Sequence, residues 1–506
     1  MQILRTPAQA AQWLRDRVTG QLHTDSRKIQ SGDAFIAWPG GVVDGRQYIA
    51  QALNQGATAC LVEWQGVDAF GWSAELQRWT SLDVTLQDRV AAFDGLKAAS
   101  GSIADAYFEH PSQALKVVAI TGTNGKTSSA WWLAHAVEHL GSASAIVGTL
   151  GVGRVNDLRY TGMTTPDPVL LQAQFHALVE QRVQVCALEA SSIGIAEHRL
   201  AGTQIHIALL TNFTQDHLDY HGSMDAYWQA KQALFEWPEL QAAILNVDDP
   251  QGRALEALLA SRTELRVWTI GLSPRANARH VAALDVRYEA GGLCMTVVCG
   301  DQQQTLQTPF VGHYNVSNLL GVIATLCELG YDLTQAVQAC ACLPAVPGRM
   351  QLLGEAPLVA VDYAHTPDAL TKALQALEPL AHQREGALVC VFGCGGNRDA
   401  SKRPLMAASA EQIADQLILT SDNPRHESAA QIIQHMQSGL QGKKRTQVIE
   451  DRAQAIQQAI IEAQENDVIL IAGKGHESYQ EIAGVQYAFS DVKHAQTALE
   501  QRRAHV

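Results

Sequence analysis

The 506-residue chain carries 37 Lys and Arg against 51 Asp and Glu, a formal charge of −14, with 47% hydrophobic and 17% charged residues. That composition is globular rather than disordered, collagenous or disulfide-stapled, and the length predicts two to four domains. The acidic balance argues against a general nucleic-acid or membrane-surface binder, which displays an excess of Lys and Arg, but it leaves room for a local basic pocket.

Met1 to Arg17 has a helical pattern with Arg5, Arg15, Asp16 and Arg17 around it, and it lacks the long apolar stretch of a secretory signal. No uninterrupted apolar run is long enough to span a bilayer, so no membrane insertion is expected. The nine cysteines include no Cys-x-x-Cys pair, and Cys340-Ala341-Cys342 is too closely spaced for an ordinary zinc knuckle. Reduced thiols in a cytoplasmic protein are expected.

A boundary near Leu96 to Gly101 predicts an N-terminal domain, 1–98. Beyond it one unit recurs: a short apolar strand, a polar or Gly-rich turn, then an amphipathic helix. Val117-Val118-Ala119-Ile120 leads into such a turn and a helix bearing Trp131, Leu133, Ala136, Val137 and Leu140, with Gly141 as its stop. Further strands are predicted at Val183 to Leu188, Ile205 to Leu210 and Ala243 to Leu245. The segment Ala341 to Arg349, punctuated by Pro344, Pro347 and Gly348, predicts a hinge between a central domain, 99–344, and a C-terminal domain, 345–506. Strands follow at Leu358 to Val361, Ala387 to Phe392, Gln416 to Thr420 and Val468 to Ala472. Alternation of this kind predicts an α/β protein with mainly parallel sheets covered by helices on both faces.

The turn after the first of these strands is Thr121-Gly122-Thr123-Asn124-Gly125-Lys126-Thr127. Glycines let backbone N–H groups approach phosphate oxygens, the helix N-terminus supplies positive potential, Lys126 a point charge, and Thr127 a hydroxyl for Mg²⁺. The common Walker spacing wants another glycine where Ile120 stands, so this is a variant loop, and ATP binding is expected. It resembles the nucleotide loop of the Mur ligase superfamily, the ATP-dependent amide-forming enzymes of peptidoglycan precursor synthesis, to which folylpolyglutamate synthetases are related.

Glu189 directly follows a strand in Leu188-Glu189-Ala190-Ser191-Ser192, and His217 lies in Thr214-Gln215-Asp216-His217-Leu218-Asp219 after the next one. Loops at the carboxyl ends of neighbouring parallel strands converge on one crevice, so this carboxylate and imidazole could meet a Mg²⁺. Singly, a His beside a strand is more often a hydrogen-bonded structural residue than a ligand; both segments resemble the family's metal-binding stretches, and the resemblance favours the metal reading. Lys231, on a predicted helix, reads as an ordinary surface lysine from its neighbours. By resemblance it matches the lysine that these ligases carry as a carbamate, an anionic ligand for a second Mg²⁺, which requires a lowered amine pKa.

In the N-terminal segment, Thr24-Asp25-Ser26-Arg27, Gly32-Asp33-Ala34-Phe35 and Asp44-Gly45-Arg46 resemble the uridine-nucleotide-binding domain of two Mur ligases, those adding the third residue and the terminal dipeptide. In the C-terminal segment, Gly348-Arg349-Met350, Asp362-Tyr363-Ala364-His365, Phe392-Gly393-Cys394-Gly395-Gly396-Asn397-Arg398 and Gly473-Lys474-Gly475-His476-Glu477 resemble the third-residue branch. The string Asp422-Asn423-Pro424-Arg425 has two readings. In one, Asn423 caps a helix that begins at Pro424. In the other, Arg425 takes a free carboxylate through parallel hydrogen bonds while Asp422 and Glu477 accept from an ammonium group, as an amino acid bearing both groups at its far end would need. In the family this string marks addition of meso-diaminopimelate.

The resemblance implies a C-terminal Rossmann-like domain and a reaction joining meso-diaminopimelate to UDP-N-acetylmuramoyl-L-alanyl-D-glutamate with ATP, two Mg²⁺ and a monomeric chain. It places Gly122, Thr123, Asn124, Gly125, Lys126, Thr127, Ser128, Asn315, Arg349 and Asp362 around ATP. It places Thr24, Ser26, Thr164, Thr165, Ser191, Glu197 and Arg199 around the UDP substrate. Arg398, Asp422, Asn423, Pro424, Arg425, Gly473 and Glu477 fall to the amino acid; Lys126, Glu189, His217 and Lys231 fall to chemistry, and Thr127, Glu189, His217 and Lys231 to metal. Met163, Ile193 and Gly41-Val42-Val43 depart from the family's commoner residues near the UDP substrate. The rivals are a lysine-adding ligase, a P-loop kinase or hydrolase, and a non-catalytic nucleotide-sensing scaffold.

Overall fold

A computed structural model describes residues 1–506 except 42, 76, 77, 290, 291 and 506. Val42, in the loop singled out for its departure from the family pattern, lies outside the described residues. Among the described residues three large sheets follow one another along the chain, beside two two-stranded hairpins. The first has five parallel strands in the spatial order Gln2–Leu4, Val90–Phe93, Ala59–Glu63, Ala34–Ala37, Leu22–His23. The helix Leu96–Tyr107 follows it, so the boundary expected at 98/99 falls inside that helix.

The second sheet has eleven strands, and Lys116–Thr121 lies in its middle between Val185–Glu189 and Ile207–Leu210. The run Val117 to Ile120 is fully buried because helices cover both faces, as a continuous apolar strand requires. Parallel pairing extends from Ser144–Gly148 to His280–Glu289. Antiparallel strands finish both edges, Gly151–Arg154 and Asp157–Arg159 at one and Gly292–Cys299 and Gln302–Thr308 at the other. The helix Lys126–His139 ends ahead of Gly141, whose φ of +84° stops it as expected.

The third sheet runs Gln351–Leu353, Leu358–Asp362, Val468–Ala472, Leu388–Phe392, Gln416–Leu419, Arg445–Val448, parallel except for the first strand. Strands Gln416–Leu419 and Val468–Ala472 flank Leu388–Phe392, so the loops that follow all three emerge side by side. Asp422-Asn423-Pro424-Arg425 starts no helix: the next helix is Ala429–Gln437, preceded by Ser428. The capping reading of Asn423 is therefore wrong; the segment is a loop in which Arg425 holds φ +53°.

All nine cysteines are free thiols, and Cys342 alone among them is exposed. No helix of the described residues is long and apolar enough to cross a membrane.

Candidate active site

The turn after Lys116–Thr121 forms a cradle that only glycine permits. Gly122 has φ +146° and Gly125 φ +86°; a Cβ would stand 1.9 Å from Thr211 Oγ1 at the first and 2.3 Å from Asn318 Oδ1 at the second. Lys126 Nζ folds back to donate to the Gly122 and Thr123 carbonyls at 2.8 and 2.9 Å. Burial pushes its ammonium pKa down, against the pull of the Glu189 and Asp216 carboxylates. Gly125→Ala combines a strained φ with a steric conflict. It should raise the KM for ATP on the order of tenfold to a hundredfold, read as phosphate release against nucleotide concentration.

The loop opens into a cleft of about 530 Å³ at the junction of the central and C-terminal domains. Thr123 to Ser128, Glu189, His217 and Lys231 line it from the central sheet's carboxyl ends. Glu189 is buried and accepts from Thr127 Oγ1 at 2.9 Å, Thr149 N at 2.8 Å and Thr149 Oγ1 at 3.1 Å. Those bonds fix the carboxylate and, with its proton donated, leave the Thr127 oxygen lone pairs for another partner. His217, at φ +51°, has its Nε2 3.5 Å from Asp216. Burial lowers its pKa to about 4, so at neutral pH it is an uncharged imidazole able to accept or ligate. Burial would raise the Asp216 carboxyl, but the facing His217, His365 and Lys402 outweigh it and hold it well below the usual range. Lys402 of the C-terminal domain donates to Asp216 Oδ1 at 2.7 Å.

Lys231 is no surface residue. It is 1% exposed, its Nζ donates to the Gly122 carbonyl at 2.8 Å, and it stands 4.6 Å from the centre of the Tyr227 ring. Burial and the neighbouring Lys126 charge drive its pKa well below 10.5, with only Asp216 opposing. Sequence reasoning missed this because its cover comes from another part of the chain, the nucleotide loop, as well as from Tyr227 one turn earlier.

Thr164, Thr165, Ser191 and Arg199 line the same cleft, as do Met163 and Ile193, the two departures from the family pattern. Arg199 Nη1 donates to the Thr165 carbonyl at 3.0 Å and faces Met163 Sδ at 3.6 Å; Ser191 Oγ meets Thr165 Oγ1 at 2.9 Å. Thr24, Ser26 and Glu197 do not line it. Ser26 is buried in the short 3-10 turn Ser26–Lys28 of the first domain, and Glu197 is engaged by Lys97 and Tyr220 at 2.5 Å each.

From the C-terminal side come Arg349, Asp362 and Arg398, with Asn315 from the helix His313–Glu328. Asp362 accepts from the Met350 and Ala364 N–H groups at 2.7 and 2.8 Å, yet its burial still raises its pKa. The Arg349 guanidinium lies 4.1 Å over the Tyr363 ring. An apolar wall of Trp132 stacked on Phe310 at 4.5 Å, with Val346 and Tyr314, suits one face of a flat heterocycle. These wall residues carry no polar signature and were missed in the sequence; so were Thr149 and Asp216, whose roles depend on which strands are neighbours.

The remaining predicted residues form a second cluster outside the cleft lining. Gly473 at φ +117° lets the backbone pass the Asp422 carboxylate: a Cβ there would lie 2.6 Å from Asp422 Oδ2. Asn423 is 2% exposed, its Nδ2 donating to Glu477 Oε2 at 2.8 Å and its Oδ1 accepting from Lys474 Nζ and Glu481 N, each at 2.9 Å. Arg425 Nη1 donates to the Gly396 carbonyl at 2.8 Å, and its Nε lies 3.5 Å from Glu481. Pro424 fixes the backbone between these two.

The Mur ligase middle domain matches residues 120–326, the Mur ligase glutamate ligase domain 348–475, and the Mur ligase family catalytic domain 20–96. The chain belongs to the Mur ligase family. Two relatives are named UDP-N-acetylmuramoyl-L-alanyl-D-glutamate--2,6-diaminopimelate ligase. The one from Acidovorax sp. (strain JS42) is 55% identical, covering 99% of this chain and 98% of its own; the one from Janthinobacterium sp. (strain Marseille) is 45% identical over 99% of both. A solved structure of the same name is 34% identical with TM-score 0.63, covering 96% of this chain and 95% of its own. The MurF ligase of Thermotoga maritima in complex with ADP, 16% identical, shares the fold with TM-score 0.66 over 97% and 99% of the two chains.

Proposed function

We propose that this chain is an ATP-dependent ligase that joins meso-diaminopimelate to the D-glutamate of UDP-N-acetylmuramoyl-L-alanyl-D-glutamate in peptidoglycan precursor synthesis, as a monomer in the cytoplasm. The observation that carries this reading is the single cleft in which the glycine cradle, Lys126, Glu189 and Lys231 of one domain face Arg349 and Arg398 of the next. The names of the relatives support the choice of substrates.

A carboxylate is a poor acyl donor because oxide would have to leave. Its oxygen attacks the γ-phosphorus of ATP, ADP departs, and an acyl phosphate forms. The amine then adds to the acyl carbon and loses a proton, and the tetrahedral intermediate expels phosphate. Both steps gather negative charge on phosphoryl oxygens, so positioning and charge neutralisation dominate over covalent help from the protein. Lys126 would exchange its two loop carbonyls for phosphate oxygens, while Asn315, Arg349 and Asp362 reach the nucleotide from the junction. Thr164, Thr165, Ser191 and Arg199 would hold the dipeptide end of the acceptor, with Thr24, Ser26 and Glu197 toward its uridine end.

The donor set fits Mg²⁺ shared with phosphate. Among the described residues no group of three or more His, Cys, Asp or Glu closes on a metal by itself, and Mg²⁺ characteristically takes one or two protein oxygens beside substrate phosphates. Thr127, Glu189, His217 and a carbamate on Lys231 would hold two ions, which when bound neutralise the transferring phosphoryl group. The carbamate forms when the neutral Nζ lone pair attacks CO₂ and a proton leaves, turning a cation into an anionic oxygen donor. A buried lysine with a lowered pKa is suited to that step.

Phosphate release by purified protein with ATP and the UDP-dipeptide tests the reading. Release should appear on adding diaminopimelate. Release with no amino acid would indicate a hydrolase, a lysine-only response would overturn the substrate, and no release under any condition would indicate a scaffold. In the same assay Arg425→Lys should raise the KM for diaminopimelate about tenfold, because a point charge cannot make the guanidinium's parallel bonds, and leave the KM for ATP unchanged.

A further inference from the structure

We infer that Lys474 is a positioning residue for the amino-acid site: a buried cation that orients Glu477 and couples it to the Asp422–Arg425 loop without touching substrate. The inference rests on the reading of this cluster as the diaminopimelate site.

Lys474 is 0% exposed, so no ligand reaches it without rearrangement. Its Nζ donates to Glu477 Oε2 at 2.8 Å and to Asn423 Oδ1 at 2.9 Å, and lies 5.6 Å from the centre of the Tyr479 ring. Asn423 Nδ2 also donates to Glu477 Oε2. Two donors thus converge on one carboxylate oxygen, which fixes the rotation of the group and presents Oε1 for a ligand ammonium. A carboxylate accepting two bonds on one oxygen, one of them from a cation, is held far more firmly than one turning freely in solvent.

The backbone around Lys474 is anchored on its other side. Gly475 has φ +55°, and a Cβ there would stand 2.5 Å from the Gly348 carbonyl oxygen; a Cβ on Gly348 would stand 2.0 Å from His476 N. The turn therefore packs backbone to backbone on the hinge that carries Arg349. Lys474 reaches the opposite way, to a loop 51 residues distant in sequence. Without it, Glu477 loses the buried charge that compensates it and Asn423 loses a donor, while the turn stays pinned to the hinge.

Full-length Lys474→Met, Glu477→Gln and the double variant test this by phosphate release. Lys474→Met should raise the KM for meso-diaminopimelate on the order of thirtyfold, the scale of a lost charge-assisted hydrogen bond, with kcat and the KM for ATP within about threefold of the starting protein. Because Lys474 acts through Glu477, the double variant should be no worse than the weaker-binding single variant, and Lys474→Arg should recover most of the affinity. Additive effects, or an equal rise in the KM for ATP, overturn the inference. If Lys474→Met fails to fold, Lys474→Gln is read in the same cycle; loss of folding in both overturns it in favour of a purely structural cation. A starting protein that ignores diaminopimelate overturns the underlying reading, whereas a responsive one with additive variants overturns this inference alone.

Discussion

Lys231→Ala is expected to lower phosphate release by a factor on the order of a thousand with little change in the unfolding midpoint. The side chain makes one hydrogen bond, to the Gly122 carbonyl, and meets the Tyr227 ring, but burying its ammonium opposes these gains, so its net stabilising contribution is modest. Its proposed contribution to the transition state is an anionic ligand for an ion that neutralises the transferring phosphoryl group, and losses at such positions reach several kcal/mol. Lys231→Arg discriminates between charge and chemistry. A guanidinium stays protonated and cannot add CO₂, so this variant should be as inactive as the alanine although it keeps the cation. An active Lys231→Arg protein would exclude the carbamate. A carbonyl signal from ¹³CO₂ in the native protein, absent in Lys231→Ala, would establish it independently of activity.

Arg452→Ala should produce the largest loss of stability. Arg452 and Asp491 are both 0% exposed at the side chain. Nε and Nη2 of the arginine make parallel bonds of 2.7 Å to the two carboxylate oxygens. The same guanidinium donates to the Ala472 carbonyl at 2.9 Å and the Ser421 carbonyl at 3.4 Å, joining the ends of the strands that precede Gly473 and Asp422. Removing one partner of such a pair leaves an uncompensated buried charge and costs about 3–5 kcal/mol. Urea unfolding followed by a probe in the C-terminal domain should show it. Replacing both members with apolar residues, Arg452→Met with Asp491→Leu, should recover much of the loss, because what costs most is the orphaned ion rather than the absent attraction. A single-variant cost below 1 kcal/mol would mean that water or another cation reaches Asp491.

What the sequence makes legible is local. The strand, glycine turn and helix from Val117 to Gly141 are one continuous stretch whose pattern follows from φ freedom and apolar periodicity, and the structure places them as read. Lys231 escapes because Tyr227 and the Gly122 carbonyl, not its helix alone, bury it. Asn423-Pro424 fits a helix start on local chemistry, but Asn423 spends its side chain on Lys474, Glu477 and Glu481 instead, and tertiary partners override the capping preference. The edge strand Gln302–Thr308 escapes for a different reason. An edge strand beginning Gln302-Gln303-Gln304 carries no apolar run, and its pairing with the strand before it supplies the order. The second cluster depends on strand order, which brings loops distant in sequence to adjacent exits.

The unequal accessibility of the nine thiols has a practical consequence. Burial raises Cys60, Cys186, Cys340, Cys390 and Cys394, Cys327 is pushed up to about 12, and the half-buried Cys299 also rises. Alkylating reagents attack thiolates that they can reach. Exposed Cys342 caps the helix Leu333–Ala341 at the start of the segment Ala341 to Arg349. The native chain therefore offers a fluorophore attachment point in the segment that joins the central and C-terminal domains, without engineering a cysteine.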